Sequence, residues 1–321
     1  MHFTATKNKF IFCILLFLCS NFVVSQTIEI HYNTFFPTIE LQIGEKKFTF
    51  SVDTGSNNSF ISFNVIKELE IDKETFFQQF MNSTIPEDAT EVLNKYNDFI
   101  NFALQNDIPI KDFPAIYLDF NNLEIDKFRL GKLRFYYYRN IDERVFSSLN
   151  IDGILGMNFM RLFNNLTINY PKKTIYLNSN NCTVNNKVQM VKNKESQELG
   201  LRDNLLYLDI FIENFCHFFT IDTGAISEFI LISPESDSEL EESNINANDD
   251  SLHPTYFYKD IQIGNKIFND IKTCYTTYSG YYPILQDKEK WEKYKLNCLG
   301  YALFKNHIIQ FDFENNTFGI E

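Results

Sequence analysis

Basic residues are in deficit. The 321 residues hold 29 Lys and Arg against 42 Asp and Glu, a formal net charge of −13. Binding to phosphate backbones needs clustered Lys and Arg, so a nucleic-acid partner is excluded. Only 11 glycines are present, which excludes collagen-like and glycine-rich low-complexity chains. No CxxC pair exists, and His2, His31, His217, His253 and His307 are scattered, so no zinc site is expected. Past residue 25 no uncharged apolar run reaches membrane-spanning length. What remains is ample apolar material, 44% hydrophobic and 16% aromatic, too much for a disordered chain and enough for one large domain or two smaller ones.

The first 25 residues read as an export signal. Lys7 and Lys9 precede the apolar run Phe10 to Leu18, and Val23-Val24-Ser25 supplies a small residue at the expected cut. The mature chain is then exported, to a periplasm or the extracellular space, and free of the membrane after signal cleavage; an uncleaved anchor is the alternative, though the run is short for spanning. Removing Lys7 and Lys9 takes the charge from −13 to −15. Cys182, Cys216, Cys274 and Cys298 remain, which allows two disulfides in three pairings, or free buried thiols.

The rest of the chain repeats itself. Residues 39–55, IELQIGEKKFTFSVDTG, align with 208–224, LDIFIENFCHFFTIDTG, at a constant offset of 169. Each copy alternates apolar and polar residues, turns, and runs into a second apolar strand that stops at Asp-Thr-Gly, so each reads as a β-hairpin delivering Asp53 or Asp222. FRLGKLRF (128–135) parallels IQIGNKIF (261–268), both expected as strand-turn-strand about Gly131 and Gly264. GILGMNFM (153–160) parallels CLGYALF (298–304), an apolar pair entering Gly156 or Gly300 and then a short helix. LTINYPKKTIYL (166–177) and IIQFDFENNTFGI (308–320) close the copies as hairpins. The order implies an N-terminal lobe over 26–182, a polar linker over 183–200 and a C-terminal lobe over 201–321.

The insertions differ. Asp53 to Gly131 spans 78 residues and Asp222 to Gly264 only 42. The extra length, about 64–106, carries a helical pattern, with Thr84 and Pro86 as start signals and Val92, Tyr96, Phe99 and Ala103 on one face. The second copy instead carries the loop 233–251, with seven acids and no Lys or Arg. Its acids lack the spacing and central glycine of a calcium loop, and the expectation is a solvated segment.

Two Asp-Thr-Gly turns in two equivalent lobes suit acid–base chemistry. Two carboxyl groups brought together cannot both ionise, so the pair shares a proton and offers a general base and a general acid on identical side chains. Gly55 and Gly224 permit close approach of the backbone. Thr54 and Thr223 can hydrogen-bond across the symmetry axis.

With VDTGS and IDTGA as turns and DGILG (152–156) and CLG (298–300) as supports, the chain resembles the aspartic protease superfamily of pepsins and retropepsins. In style it is similar to exported bacterial proteins in which two retropepsin-like lobes are fused. The resemblance covers about residues 28–178 and 205–321. It implies an all-β fold with a few helices, two lobes and pseudo-two-fold symmetry. It also implies an aspartic-type endopeptidase acting on a polypeptide in the cleft between lobes, as a monomer, with no cofactor or metal. Asp53 and Asp222 carry over as catalytic. Thr54, Gly55, Ser56, Thr223, Gly224 and Ala225 carry over as their scaffold, and Ile154, Leu155, Gly156, Leu299 and Gly300 as the supporting motif. Departures are Asn297-Cys298 where the first lobe has Gly153-Ile154, and the absence of a clear flap tyrosine; Tyr117 lies in the right stretch but equally suits a core. The rival expectation is a peptide-binding protein on the same scaffold that no longer cuts.

Overall fold

The computed structural model describes residues 27–71, 109, 111, 115–139, 145–146, 149–179, 184–192, 205–212, 215–225, 229–233, 255–277 and 294–321. The expected export signal, nearly all of the helical insertion and all but the first residue of the acidic loop lie outside these ranges.

Alternation sets the first sheet. After β1 (Ile28–His31), strands β2 (Thr38–Ile43) and β3 (Lys46–Val52) bury Ile39, Leu41, Ile43, Phe48, Phe50 and Val52. They pair as the expected hairpin, with Gly44 at φ +63° in its turn. β4 (Ser59–Ile61) follows the Asp-Thr-Gly turn and leads into helix α1 (Phe63–Glu68), capped by Ser62, whose hydroxyl accepts the Val65 N–H. Then come β5 (Ala115–Phe120), β6 (Leu123–Ile125), β7 (Phe128–Arg129), β8 (Leu133–Tyr138) and β9 (Gly153–Leu155). The eight strands order as β5-β8-β4-β9-β3-β2-β6-β7. β9 runs parallel to β3, with Leu155 opposite Val52, and slots between β3 and β4. Helix α2 (Met157–Met160) and the hairpin β10 (Asn165–Asn169) and β11 (Thr174–Leu177) complete this copy.

The second copy repeats the plan. After β12 (Lys187–Gln189), strands β13 (Tyr207–Ile212), β14 (Phe215–Ile221), β15 (Phe229–Ser233), β16 (Thr255–Ile263), β17 (Lys266–Thr277) and β18 (Tyr294–Leu299) order as β13-β14-β18-β15-β17-β16. β18 runs parallel to β14, with Leu299 opposite Ile221, as β9 does to β3. Helix α3 (Tyr301–Phe304) and the hairpin β19 (Ile308–Asp312) and β20 (Thr317–Ile320) follow.

A third sheet, β1-β11-β10-β19-β20-β12, joins the copies. At its centre β10 and β19 pair antiparallel, with Ile168 opposite Ile309. One continuous core runs from Ile28 to Ile320 through both copies. The chain therefore has the expected all-β, two-lobed architecture, with one contiguous core across both lobes.

Two details differ from the sequence reading. IQIGNKIF is a hairpin, Ile261 opposite Phe268 with Gly264 at φ +60°, but FRLGKLRF is not. β7 pairs with β6 through a turn at Asp126 and Lys127, and β8 lies at the far side of the sheet between β5 and β4. The local turn takes β7, and the Leu130 N–H bonds to Leu123 O, so the residues around Gly131 become a crossing rather than a turn. Within the expected linker, Lys187–Gln189 forms a strand on β20, anchored by the buried Val184 and Met190. No helix among the described residues is long and apolar enough to cross a membrane.

Candidate functional site

The two parallel strand pairs bring Asp53 and Asp222 to one point. Asp53 N–H bonds to Leu155 O at 3.0 Å and Asp222 N–H to Leu299 O at 2.9 Å, so each aspartate is held by the supporting motif of its own lobe. Behind them the threonines lock the lobes together. Each Thr N–H donates to the other's hydroxyl, at 3.1 Å both ways. The Thr54 hydroxyl donates to Ile221 O at 2.6 Å, and the Thr223 hydroxyl to Val52 O at 2.8 Å. Both threonines are fully buried, so water does not compete for these bonds.

The carboxyl groups of Asp53 and Asp222 are neighbours, each lying against the glycine of the other lobe's turn. The glycines make this approach sterically open. A methyl group on Gly55 would meet Asp222 Oδ1 at 2.7 Å, and one on Gly224 would meet Asp53 Cγ at 2.7 Å. Any side chain at either position would force the pair apart. Burial raises the Asp53 carboxyl well above the usual carboxylate range, and the neighbouring Asp222 charge and hydrogen bond add to the rise. Both aspartates remain half-exposed, so the pair is enclosed by protein but open on one side.

Backbone donors hold the carboxylates. Gly55 N–H donates to Asp53 Oδ1 at 2.8 Å, and Gly224 N–H and Ala225 N–H to Asp222 Oδ1, each at 2.9 Å. Ser56 O accepts from Met157 N at 2.8 Å, and Ala225 O from Tyr301 N at 2.7 Å, tying each turn to the helix after Gly156 or Gly300. In the first lobe Gly156 passes so close to the main chain of Asn58 and Ser56 that a side chain there would overlap both. Its N–H bonds to Ser59 Oγ at 3.1 Å, and Ser59 donates to Asn158 Oδ1 at 2.7 Å. Ile154 and Leu155, with their counterparts Cys298 and Leu299, carry the paired registers; Leu155 and Leu299 are fully buried.

The structure thus brings together every residue expected at the site. Tyr117 is not among them. It lies in β5, half-buried, with the Arg134 guanidinium 4.4 Å above its ring. Cys298 is a free, buried thiol, so two disulfides do not form; its neighbours in register are Thr220 and Ile230. Two features escaped the sequence reading. The Ser59–Asn158 bracket shows no repeat signal. An aromatic contact also crosses the lobes, with Phe35 and Phe36 from the loop before β2 lying 4.6 and 5.7 Å from the Tyr301 ring and Tyr170 at 5.4 Å. Among the described residues there is no group of three metal-binding side chains.

No family model matches the chain, and no curated protein matches it. Among solved structures the chain is similar to a retropepsin-like aspartic protease from Rickettsia conorii, at 17% identity and a TM-score of 0.28, over 47% of this chain and 90% of that one. At that score the likeness adds no weight to the duplicated sheets and paired turns.

Proposed function

We propose that the protein is an exported aspartic-type endopeptidase that cuts polypeptides through the Asp53/Asp222 pair. The observation that carries this reading is the contact between two carboxyl groups, each seated against the glycine of the other lobe. A pair holding one proton supplies both halves of peptide hydrolysis. The ionised carboxylate takes a proton from a water lying between the pair and the substrate. The water oxygen attacks the scissile carbonyl carbon while the protonated carboxyl gives its proton to the carbonyl oxygen. Collapse of the tetrahedral intermediate returns the proton to the pair, and the amine leaves protonated. No metal or cofactor enters the balance.

The Asn297-Cys298 departure does not weaken the reading, because β18 keeps the register that β9 has in the first lobe. The test uses the mature chain on an unfolded polypeptide between about pH 3 and 7, the span in which a coupled carboxyl pair titrates. Cleavage blocked by a statine-type mimic, and lost in both Asp53→Asn and Asp222→Asn, is the expected result. Unchanged cleavage in either variant refutes the reading. A peptide bound by the wild type and recovered intact would make the protein a binding module instead.

A further inference from the structure

Among the described residues Phe35 is the most exposed large apolar side chain, at 58%. The loop that carries it, between β1 and β2, is pinned. The Thr34 hydroxyl donates to Phe36 O at 2.5 Å and lies 3.0 Å from the Thr38 hydroxyl at the start of β2. The Phe35 ring packs on Phe36 at 5.0 Å and on Tyr301, from the other lobe, at 4.6 Å. Tyr170, which is buried, backs Tyr301 at 5.4 Å. The result is an aromatic ledge with more than half of Phe35 left to solvent.

The ledge adjoins both Asp-Thr-Gly turns. Pro37 O, two residues after Phe35, accepts the N–H of Val52 at 2.9 Å, and Val52 precedes Asp53. Tyr301 N–H donates to Ala225 O at 2.7 Å, and Ala225 follows Gly224. The equivalent corner in the other half of the repeat is built differently. Leu206 O takes the Ile221 N–H at 3.2 Å as Pro37 O takes that of Val52, so Leu205 stands where Phe36 stands. Met157 N–H donates to Ser56 O as Tyr301 N–H does to Ala225 O, so Met157 stands where Tyr301 stands. Leu205 is 3% exposed and Met157 fully buried. One corner beside the pair is closed with aliphatic side chains, and the other is open and aromatic.

We propose that Phe35, stacked on Tyr301, is a specificity-determining residue: the ledge takes an aromatic side chain of the polypeptide that lies across Asp53 and Asp222. The choice of a polypeptide rests on the peptidase reading. The chemistry of its side chain rests on the ledge. The group holds no charged side chain, so a charged occupant would lose water and gain no partner. An aromatic occupant covers the open face of Phe35 and adds edge-to-face or offset ring contacts that an aliphatic one lacks. The pinned loop places the ring before substrate arrives, so little ordering cost is left for binding. Because the equivalent corner is closed, the aromatic preference falls on one side of the scissile bond only.

The experiment walks a single Phe through capped octapeptides of Ala and Ser and compares each with its Phe-free parent, using the mature chain. Phe at one position, on one side of the cut, should raise kcat/KM about tenfold, the worth of one aromatic pair and the area it covers. In Phe35→Ala that ratio should fall to about one. It should survive in Ile267→Ala, which removes an equally exposed apolar side chain from β17. A loss of stability moves all the peptides alike and leaves the ratio in place, so the ratio separates a role in recognition from a role in joining the lobes. A ratio unchanged in Phe35→Ala, or a wild type with no preferred position for Phe, overturns the proposal. So does a dimer that depends on Phe35 with no peptide preference, which would give the ledge to a second copy of the chain. If the wild type cuts none of the peptides, the peptidase reading fails and calorimetric titration of the same peptides decides the ledge. A Kd tightened about tenfold by Phe at one position, and not in Phe35→Ala, keeps it as a peptide-binding ledge. Equal Kd values, or no binding, overturn it.

Discussion

Replacing Thr54 by Val tests the joint between the lobes. Valine keeps the shape and volume of threonine, so no cavity opens. The hydroxyl is lost, and with it two bonds: its donation to Ile221 O at 2.6 Å and its acceptance of the Thr223 N–H at 3.1 Å. Both sites are fully buried, so the orphaned carbonyl and N–H find no water. An unsatisfied buried polar group costs about 1–3 kcal/mol, which puts Thr54→Val at about 4 kcal/mol. That is a large part of a domain stability of about 5–15 kcal/mol. Thr54→Ser keeps both bonds and deletes one buried methyl, a loss of about 1 kcal/mol. The more polar substitution is therefore the milder one by about 3 kcal/mol, the reverse of what burial alone predicts. Thr223→Val breaks the equivalent bonds, at 3.1 and 2.8 Å, and should match Thr54→Val within about 1 kcal/mol. Equilibrium urea unfolding read by circular dichroism and fluorescence measures both series, and the shared core predicts one transition by either probe. Equal midpoints for Thr54→Val and Thr54→Ser would show that the crossed bonds contribute nothing net.

Two other outcomes follow from the same geometry. The Asp53 carboxyl is raised in the folded state, so the folded protein binds a proton that the unfolded chain has released above about pH 4; stability then falls as pH rises towards the folded value, by up to about 1.4 kcal/mol per pH unit. Asp53→Asn removes that slope, so its melting temperature relative to wild type should climb from pH 4 to 7, and a difference constant with pH refutes the coupling. Gly131→Ala and Gly264→Ala, equivalent in the aligned sequences, should diverge. Gly131 has open space around it and no left-handed φ, so alanine is neutral or stabilises by up to about 1 kcal/mol. Gly264 has φ +60° and lies against Asn186, whose side chain bonds Ile263 O, Ile320 O and the Asn265 N–H, so alanine costs about 2–3 kcal/mol. Similar unfolding midpoints for the two variants would contradict the different roles of these loops.

That pair of glycines shows where the sequence is legible and where it is not. Alternation at period two is local, so the hairpins carrying Asp53 and Asp222 stand out in any stretch that buries one face. Strand pairing is not local. FRLGKLRF and IQIGNKIF align on their glycines, yet only the second folds back on itself. The same local turn recurs in LQIGEKKF (41–48), where Gln42 bonds Gly44 O at 2.9 Å just as Gln262 bonds Gly264 O at 2.7 Å. The strand at Lys187–Gln189 was hidden for a related reason. It is an edge of three residues with two exposed side chains, and its anchors, Gln189 to the main chain of Asn315 and Asn316 and Asn316 back to Met190 O, come from the far end of the chain.

The candidate site divides along the same line. Where the job is mechanical, the repeat is kept: both threonines, both glycines, both apolar residues before Gly156 and Gly300, and crossed bonds of equal length. Around the two carboxyl groups themselves the repeat is kept less strictly. The departures from the repeat gather on one side of the pair. The Ser56 and Ala225 N–H groups each reach their own aspartate's main-chain oxygen at 3.3 Å, but only Ala225 adds a bond to the carboxyl, at 2.9 Å, and Cys298 stands where Ile154 stands.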